Sequence, residues 1–250
     1  MRVRDVELEA RWVGPPRDGG CELVFLHEGL GSITQWRDTP EAIARACGRP
    51  AFVYARQGYG NSTPVDVPRP LAYMHDEAAL LPDVLAAAGI TDCILIGHSD
   101  GASIAIIAAG EHLVAPRGLV LIAPHVFVED LSVESIAKAA EAYRTTDLRA
   151  RLARHHADVD GAFWGWNRAW LDPKFRAWNL EAYLPRITAP ALVVQGESDE
   201  YGTRAQVDAI ARQLAGPVEV AWIPRAGHSP FRDQPASVHE RIATYVMALI

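Results

Sequence analysis

The chain has 250 residues, 49% of them hydrophobic, with a net charge of −7 and a pI near 5.7. That length fits one large α/β domain or one domain with an insertion, and an acidic balance without a Lys/Arg cluster argues against a nucleic-acid binder. No apolar stretch reaches the 18 residues of a membrane helix, and the three widely spaced cysteines, Cys21, Cys47 and Cys93, suit buried free thiols in a reducing compartment.

The first residues, MRVRDVELEARWVG, alternate charged and apolar side chains and lack the apolar core of a signal peptide. The expectation is a soluble, cytoplasmic protein that acts on a small molecule, partners neither nucleic acid nor membrane, and is compatible with a homodimer. Val6 to Val13 is predicted as a strand, ended by the turn cluster Gly14-Pro15-Pro16-Arg17-Asp18-Gly19-Gly20. Glu22 to Leu26 is a second strand. It runs into His27-Glu28-Gly29-Leu30-Gly31-Ser32, a loop able to aim backbone N–H groups at a ligand or simply to turn, and then into a helix from Trp36 to Ala46.

Ala51 to Ala55 is a strand, and a proline-rich loop leads from it to a helix from Tyr73 to Ala88, closed by Gly89. Cys93 to Ile96 is a strand that meets Gly97-His98-Ser99-Asp100-Gly101 and a run of Ala and Ile. Gly118 to Ile122 is the next strand. After Ala123-Pro124 the rhythm changes: from Glu129 to about Leu184 the sequence is helical and holds Trp164, Trp166, Trp170 and Trp178. Strands return at Ala191 to Gln195 and Val218 to Ile223, with helices from Thr203 to Leu214 and from Pro235 to Leu249. Short apolar strands spaced by helices predict an α/β fold, a mostly parallel central sheet flanked by helices. Residues 1–124 and 187–250 form its core, and 125–186 an inserted helical cap.

Gly-x-Ser-x-Gly arises by chance in about one such chain in ten, so its context must carry the argument. A strand before it and a helix after it make a sharp turn that lifts Ser99 to the strand's carboxyl end, at a helix N-terminus. The loops after the last two strands, Gly196-Glu197-Ser198-Asp199-Glu200-Tyr201-Gly202 and Pro224-Arg225-Ala226-Gly227-His228-Ser229-Pro230, leave the same edge of a parallel sheet. A serine nucleophile needs an imidazole within hydrogen-bond reach and a carboxylate to orient it. His228 and Asp199 fit, with Glu197, Glu200, Glu129 and Asp130 as competing acids.

With the order Ser99, Asp199, His228 and the loop His27 to Ser32 upstream, the whole chain resembles the α/β-hydrolase fold superfamily. Its elbow and loops are most similar to small bacterial esterase-type members near the biphenyl hydrolase-like and enol-lactonase-like groups. The resemblance implies a serine hydrolase that cleaves a small carboxylic ester, lactone or thioester through an acyl-enzyme on Ser99, with no metal or organic cofactor. It implies an oxyanion hole from the N–H groups of Gly29 and Asp100. Carbon–carbon bond hydrolysis and cofactor-free perhydrolysis use the same triad, and a ligand receptor with little turnover is the alternative from another class. Two departures from the superfamily pattern are Glu28, where glycine is usual, and Ala55 and Gln57, where aspartate and arginine often stand.

Substrate contacts are expected from Glu28 and Asp100, which could receive a cationic group, and from Trp164 and Phe231, which could line an apolar pocket. The adjacent His155 and His156 point different ways on a helix and are expected as a surface pair, not a metal site.

Overall fold

The computed structural model describes residues 1–250. Its first elements are a small antiparallel hairpin, β1 (Arg2–Val3) with β2 (Val6–Glu7), and a separate strand β3 (Ala10–Val13). The single strand expected over Val6 to Val13 is therefore split. Leu8 turns inward to 2% exposure, and its N–H bonds back to the Met1 carbonyl, so the chain bends between the two halves.

The main sheet continues with β4 (Glu22–Leu26), β5 (Ala51–Tyr54), β6 (Cys93–His98), β7 (Gly118–Ile122), β8 (Ala191–Gly196) and β9 (Val218–Ile223). Its order is β3-β5-β4-β6-β7-β8-β9, and every pair is parallel except β3 with β5. β4 to β7 are entirely buried and, apart from Glu22 and His98 at strand ends, apolar, as a sheet covered on both faces requires. Side chains alternate between two apolar clusters. Val24, Leu95, Leu119 and Val193 face one way, against α2 (Tyr73–Ala88), α3 (Asp100–Gly110) and α7 (Arg204–Gln213). Leu23, Ile94, Val120 and Leu192 face the other, against α1 (Thr39–Cys47) and α9 (Pro235–Met247). α1 starts three residues later than expected because Pro40, which lacks an N–H, is accommodated only in a first helical turn.

Between β7 and β8 the chain runs through α4 (Asp130–Thr145), α5 (Leu148–Leu152), α6 (Val159–Leu171) and two 3₁₀ turns, Pro173–Ala177 and Glu181–Arg186. A bridge between Phe127 and Asn179 closes the neck of this excursion. Phe163, Trp166 and Trp170 of α6 belong to the same apolar cluster as the sheet face beneath them. A one-turn helix, α8 (Pro230–Asp233), precedes α9. Cys21, Cys47 and Cys93 are free and buried, and no helix is long and apolar enough to cross a membrane.

Register decides what the fold brings together. Leu26 pairs with Gly97, His98 with Ile122, Ile122 aligns near Val194, and Gly196 pairs with Ile223. Each of these strands ends at one edge, so the segments that follow them, from His27, Ser99, Ala123, Glu197 and Pro224, converge there. The chain order reverses at β4, flanked by β5 and β6, which is where open parallel sheets form ligand crevices.

Candidate active site

Ser99 sits between β6 and α3 with φ of 52° and ψ of −117°, a conformation that costs a non-glycine residue energy and needs its surroundings to hold it. The turn closes only because its flanks lack side chains. A Cβ on Gly97 would come within 2.4 Å of the Gly101 carbonyl oxygen, and one on Gly101 within 2.0 Å of the Leu26 carbonyl oxygen. α3 is buried along its whole length, which anchors the turn.

Ser99 Oγ and His228 Nε2 are 2.9 Å apart, and His228 Nδ1 lies 2.9 and 3.0 Å from the two carboxylate oxygens of Asp199. Asp199 also accepts hydrogen bonds from Gln195 Nε2 at 2.7 Å and from the Tyr201 and Gly202 N–H groups at 2.8 and 3.3 Å. Burial favours its neutral form, but the His228 charge and hydrogen bond and the Tyr201 N–H outweigh it and hold the carboxyl at a pKa of about 2. For His228, burial disfavours the imidazolium, yet Asp199 more than compensates and raises its pKa above the ordinary value.

None of the competing acids bonds the His228 ring. Glu129 accepts from Thr203 and Gln206, Asp130 pairs with Arg176, and Glu200 accepts the His228 backbone N–H at 3.1 Å.

On the opposite side of Ser99, the loop after β4 is held from below. His27 Nε2 accepts the Arg56 N–H at 3.0 Å, so its Nδ1–H donates to the Glu28 carbonyl at 2.7 Å. The fully buried Arg56 guanidinium donates to the same carbonyl at 3.0 Å. Neither the Gly29 nor the Asp100 N–H donates to another backbone carbonyl, which leaves both amides at the cleft. The Nε1–Cδ1 edge of the Trp166 indole, on α6, meets Gly29: a Cβ there would stand 2.2 Å from Nε1 and 2.3 Å from Cδ1.

The cleft above Ser99 holds about 230 Å³ and is lined by Glu28, Gly29, Asp100, His125, Trp166, Trp170, Glu200, His228 and Arg232, among others. Two of the four expected substrate contacts are corrected. Trp164 faces away and packs with Tyr143, Arg144 and Arg168 on the outer side of α6, because residues two apart on a helix point in different directions. Phe231 is buried beneath the site against Trp36 and His98. Glu28 and Asp100 do line the cleft, but their carboxylates already have partners. Glu28 accepts from Arg232 at 2.9 Å and lies 3.4 Å from His98 Nδ1; burial opposes its ionisation, but these neighbours hold its carboxyl far below the usual range. Asp100 Oδ2 accepts the Tyr73 hydroxyl at 2.6 Å, and Tyr73 in turn accepts Trp170 Nε1 at 3.0 Å. With Arg56 4.0 Å away and Oδ1 unpartnered, burial raises the Asp100 pKa.

The histidine pair is also corrected. His156 is 5% exposed, lies between α5 and α6, accepts the Gly60 N–H and bonds the Leu30 carbonyl, while His155 bonds Thr34. Arg56, Tyr73, His125 and Arg232 were not singled out by sequence reasoning. Trp166 and Trp170 carried a readable signal, since with Phe163 they recur at three and four residues along one helical face.

The arrangement can deprotonate a hydroxyl, stabilise the resulting imidazolium and offer two amides to a developing negative charge. The comparisons agree with that chemistry at the level of the family. The chain belongs to the Alpha/beta hydrolase family, which matches residues 23–241. It is 29% identical to the 2-succinyl-6-hydroxy-2,4-cyclohexadiene-1-carboxylate synthase of Enterobacter sp. (strain 638), covering 86% of this chain and 88% of that protein. It is 24% identical to the proline iminopeptidase of Levilactobacillus brevis, over 99% of this chain and 95% of the relative. An esterase from Exiguobacterium antarcticum superposes with a TM-score of 0.77 at 19% identity, over 98% and 97% of the two chains.

Proposed function

We propose that this hydrolase cleaves small carboxylic esters, lactones or thioesters through an acyl-enzyme on Ser99. The observation that carries the reading is the unbroken chain Asp199, His228, Ser99 with bonds near 2.9 Å, ending in the lining of a cleft. Ser99 Oγ attacks the carbonyl carbon while its proton passes to His228 Nε2. The Gly29 and Asp100 N–H groups stabilise the oxyanion, and His228 returns the proton to the leaving alcohol. Water, deprotonated by His228, then releases the acid and regenerates Ser99. Asp199 keeps its charge throughout and holds the imidazole by Nδ1.

The lining bears on the substrate. Three carboxylates, Glu28, Asp100 and Glu200, share the cleft with one guanidinium, Arg232, which is already paired with Glu28. That balance suits a neutral or amine-bearing ester better than a polycarboxylate such as the product for which the related synthase is named. Buried free thiols fit a cytoplasmic setting.

Hydrolysis of a panel of p-nitrophenyl acyl esters and amino-acid esters by purified protein, beside Ser99→Ala, tests the reading. Turnover that falls roughly 10³-fold or more in the variant is expected. Turnover indifferent to Ser99 would overturn it, and a panel left untouched would shift the reading to carbon–carbon cleavage or to a receptor.

A further inference from the structure

One histidine of the cleft has no part in the acyl-transfer scheme. His125 follows the Ala123-Pro124 turn after β7 and is 2% exposed. Its Nε2 lies 3.2 Å from the Tyr201 carbonyl oxygen, which can only accept, so the ring proton is on Nε2 and Nδ1 carries the lone pair. Nδ1 is buried and has no partner. The ring is fixed in place: Trp170 packs on it at 5.4 Å and His228 at 5.5 Å between centroids, and the His125 carbonyl accepts the Ser103 hydroxyl at 2.7 Å. Burial foremost, and then the His228 charge, push its pKa down to about 4, so the ring is neutral when His228 acts. An unpaired buried acceptor is destabilising until a donor reaches it. Asp100, which also lines the cleft, carries a second such acceptor in Oδ1.

We propose that His125 is a specificity residue whose Nδ1 accepts a hydrogen bond from a hydroxyl or amine N–H on the substrate, close to the scissile carbonyl. The preferred esters are then small ones carrying such a donor, because a cleft of about 230 Å³ leaves little distance between any donor and the reacting carbon. A site built to pair a donor rejects the analogue that lacks it, since the buried acceptor is then left unsatisfied. The inference rests on the ester-hydrolase reading for its substrate class.

Three ethyl esters that differ only at carbon 2 test it: propanoate with hydrogen, lactate with hydroxyl and alaninate with an amine. Wild-type kcat/KM, divided by each ester's own alkaline hydrolysis rate because a hydroxyl or ammonium at carbon 2 activates the carbonyl by itself, is expected to be about tenfold or more higher for lactate or alaninate than for propanoate. The two donor arms distinguish a hydroxyl from an amine. In His125→Phe the ratio should collapse toward one, whereas a residue that only positioned His228 would lower all three esters alike and leave the ratio intact. A wild-type ratio near one, which needs no variant, or a ratio that survives in His125→Phe, overturns the proposal. Calorimetric binding of lactamide against propanamide, to the wild type and His125→Gln, reads the same preference without turnover. Turnover of all three esters without preference sinks the specificity inference and leaves the hydrolase reading standing. No turnover with tighter lactamide binding does the reverse.

Discussion

The two sides of Ser99 each bury an aspartate, and their pKa values move in opposite directions. Asp199, toward His228, collects donors from Gln195, Tyr201, Gly202 and His228, and its pKa falls to about 2 although burial opposes it. Asp100, toward the loop after β4, has the Tyr73 hydroxyl on one oxygen, a guanidinium 4.0 Å away and nothing on the other, and its pKa rises. Burial is common to both, so the neighbouring His228 charge and the supply of donors decide which way each pKa moves. The first carboxylate is equipped to stay ionised beside an imidazolium. The second is tied through Tyr73 to Trp170, which links the nucleophile turn to α6.

The largest effect should come from the well-donated side. Asp199→Asn is expected to lower kcat by roughly 10³–10⁴-fold, since the imidazole loses its orienting, charge-stabilising partner. The same variant sharpens the comparison through pH. His228 must be neutral to take the Ser99 proton, and Asp199 raises its pKa, so wild-type kcat/KM falls as pH drops through a midpoint above 6.5. Without that carboxylate the midpoint should move down, and an unmoved acid limb would break the assignment.

Next comes Gly29→Ala, whose methyl would meet Trp166 Nε1 at 2.2 Å. The indole and the loop must part, at a cost of about 1–3 kcal/mol in stability and with a lower kcat as the Gly29 amide shifts. A thermal melt lowered by about 2–4 °C per kcal/mol checks the first, and adding Trp166→Ala should restore part of it.

Tyr73→Phe removes the one hydroxyl bonded to Asp100 and should cost about 1–3 kcal/mol when that carboxylate is charged. Because the bond favours the ionised form, the penalty should shrink on acidification as Asp100 protonates in both proteins, and a pH-independent loss would point to packing alone. The smallest effect is predicted for Trp164→Ala, outside the cleft: kcat/KM for whichever substrate the protein turns over within about threefold of wild type, as is usual for a side chain away from the reacting groups.

The sequence by itself determined that the functional loops share one edge of the sheet. Parallel strands all end there, so Ser99, Asp199 and His228, each just beyond a short apolar run, leave that edge together; that β6, β7, β8 and β9 lie side by side was settled by the structure. Local chemistry did the same for the nucleophile turn, where Gly97 and Gly101 are demanded by backbone approaches within a few residues and to Leu26. What only the tertiary structure decided depends on rotation and distance. The face of α6 that meets the cleft is set by packing, which puts Trp166 and Trp170 inside and Trp164 outside. Glu28 finds Arg232 across 204 residues, Tyr73 reaches Asp100 from another helix, and His125 is wedged between rings supplied by α6 and the loop after β9. No short-range pattern encodes such pairings, because they arise when separate elements dock and each buried polar group takes whatever partner the packed layers present.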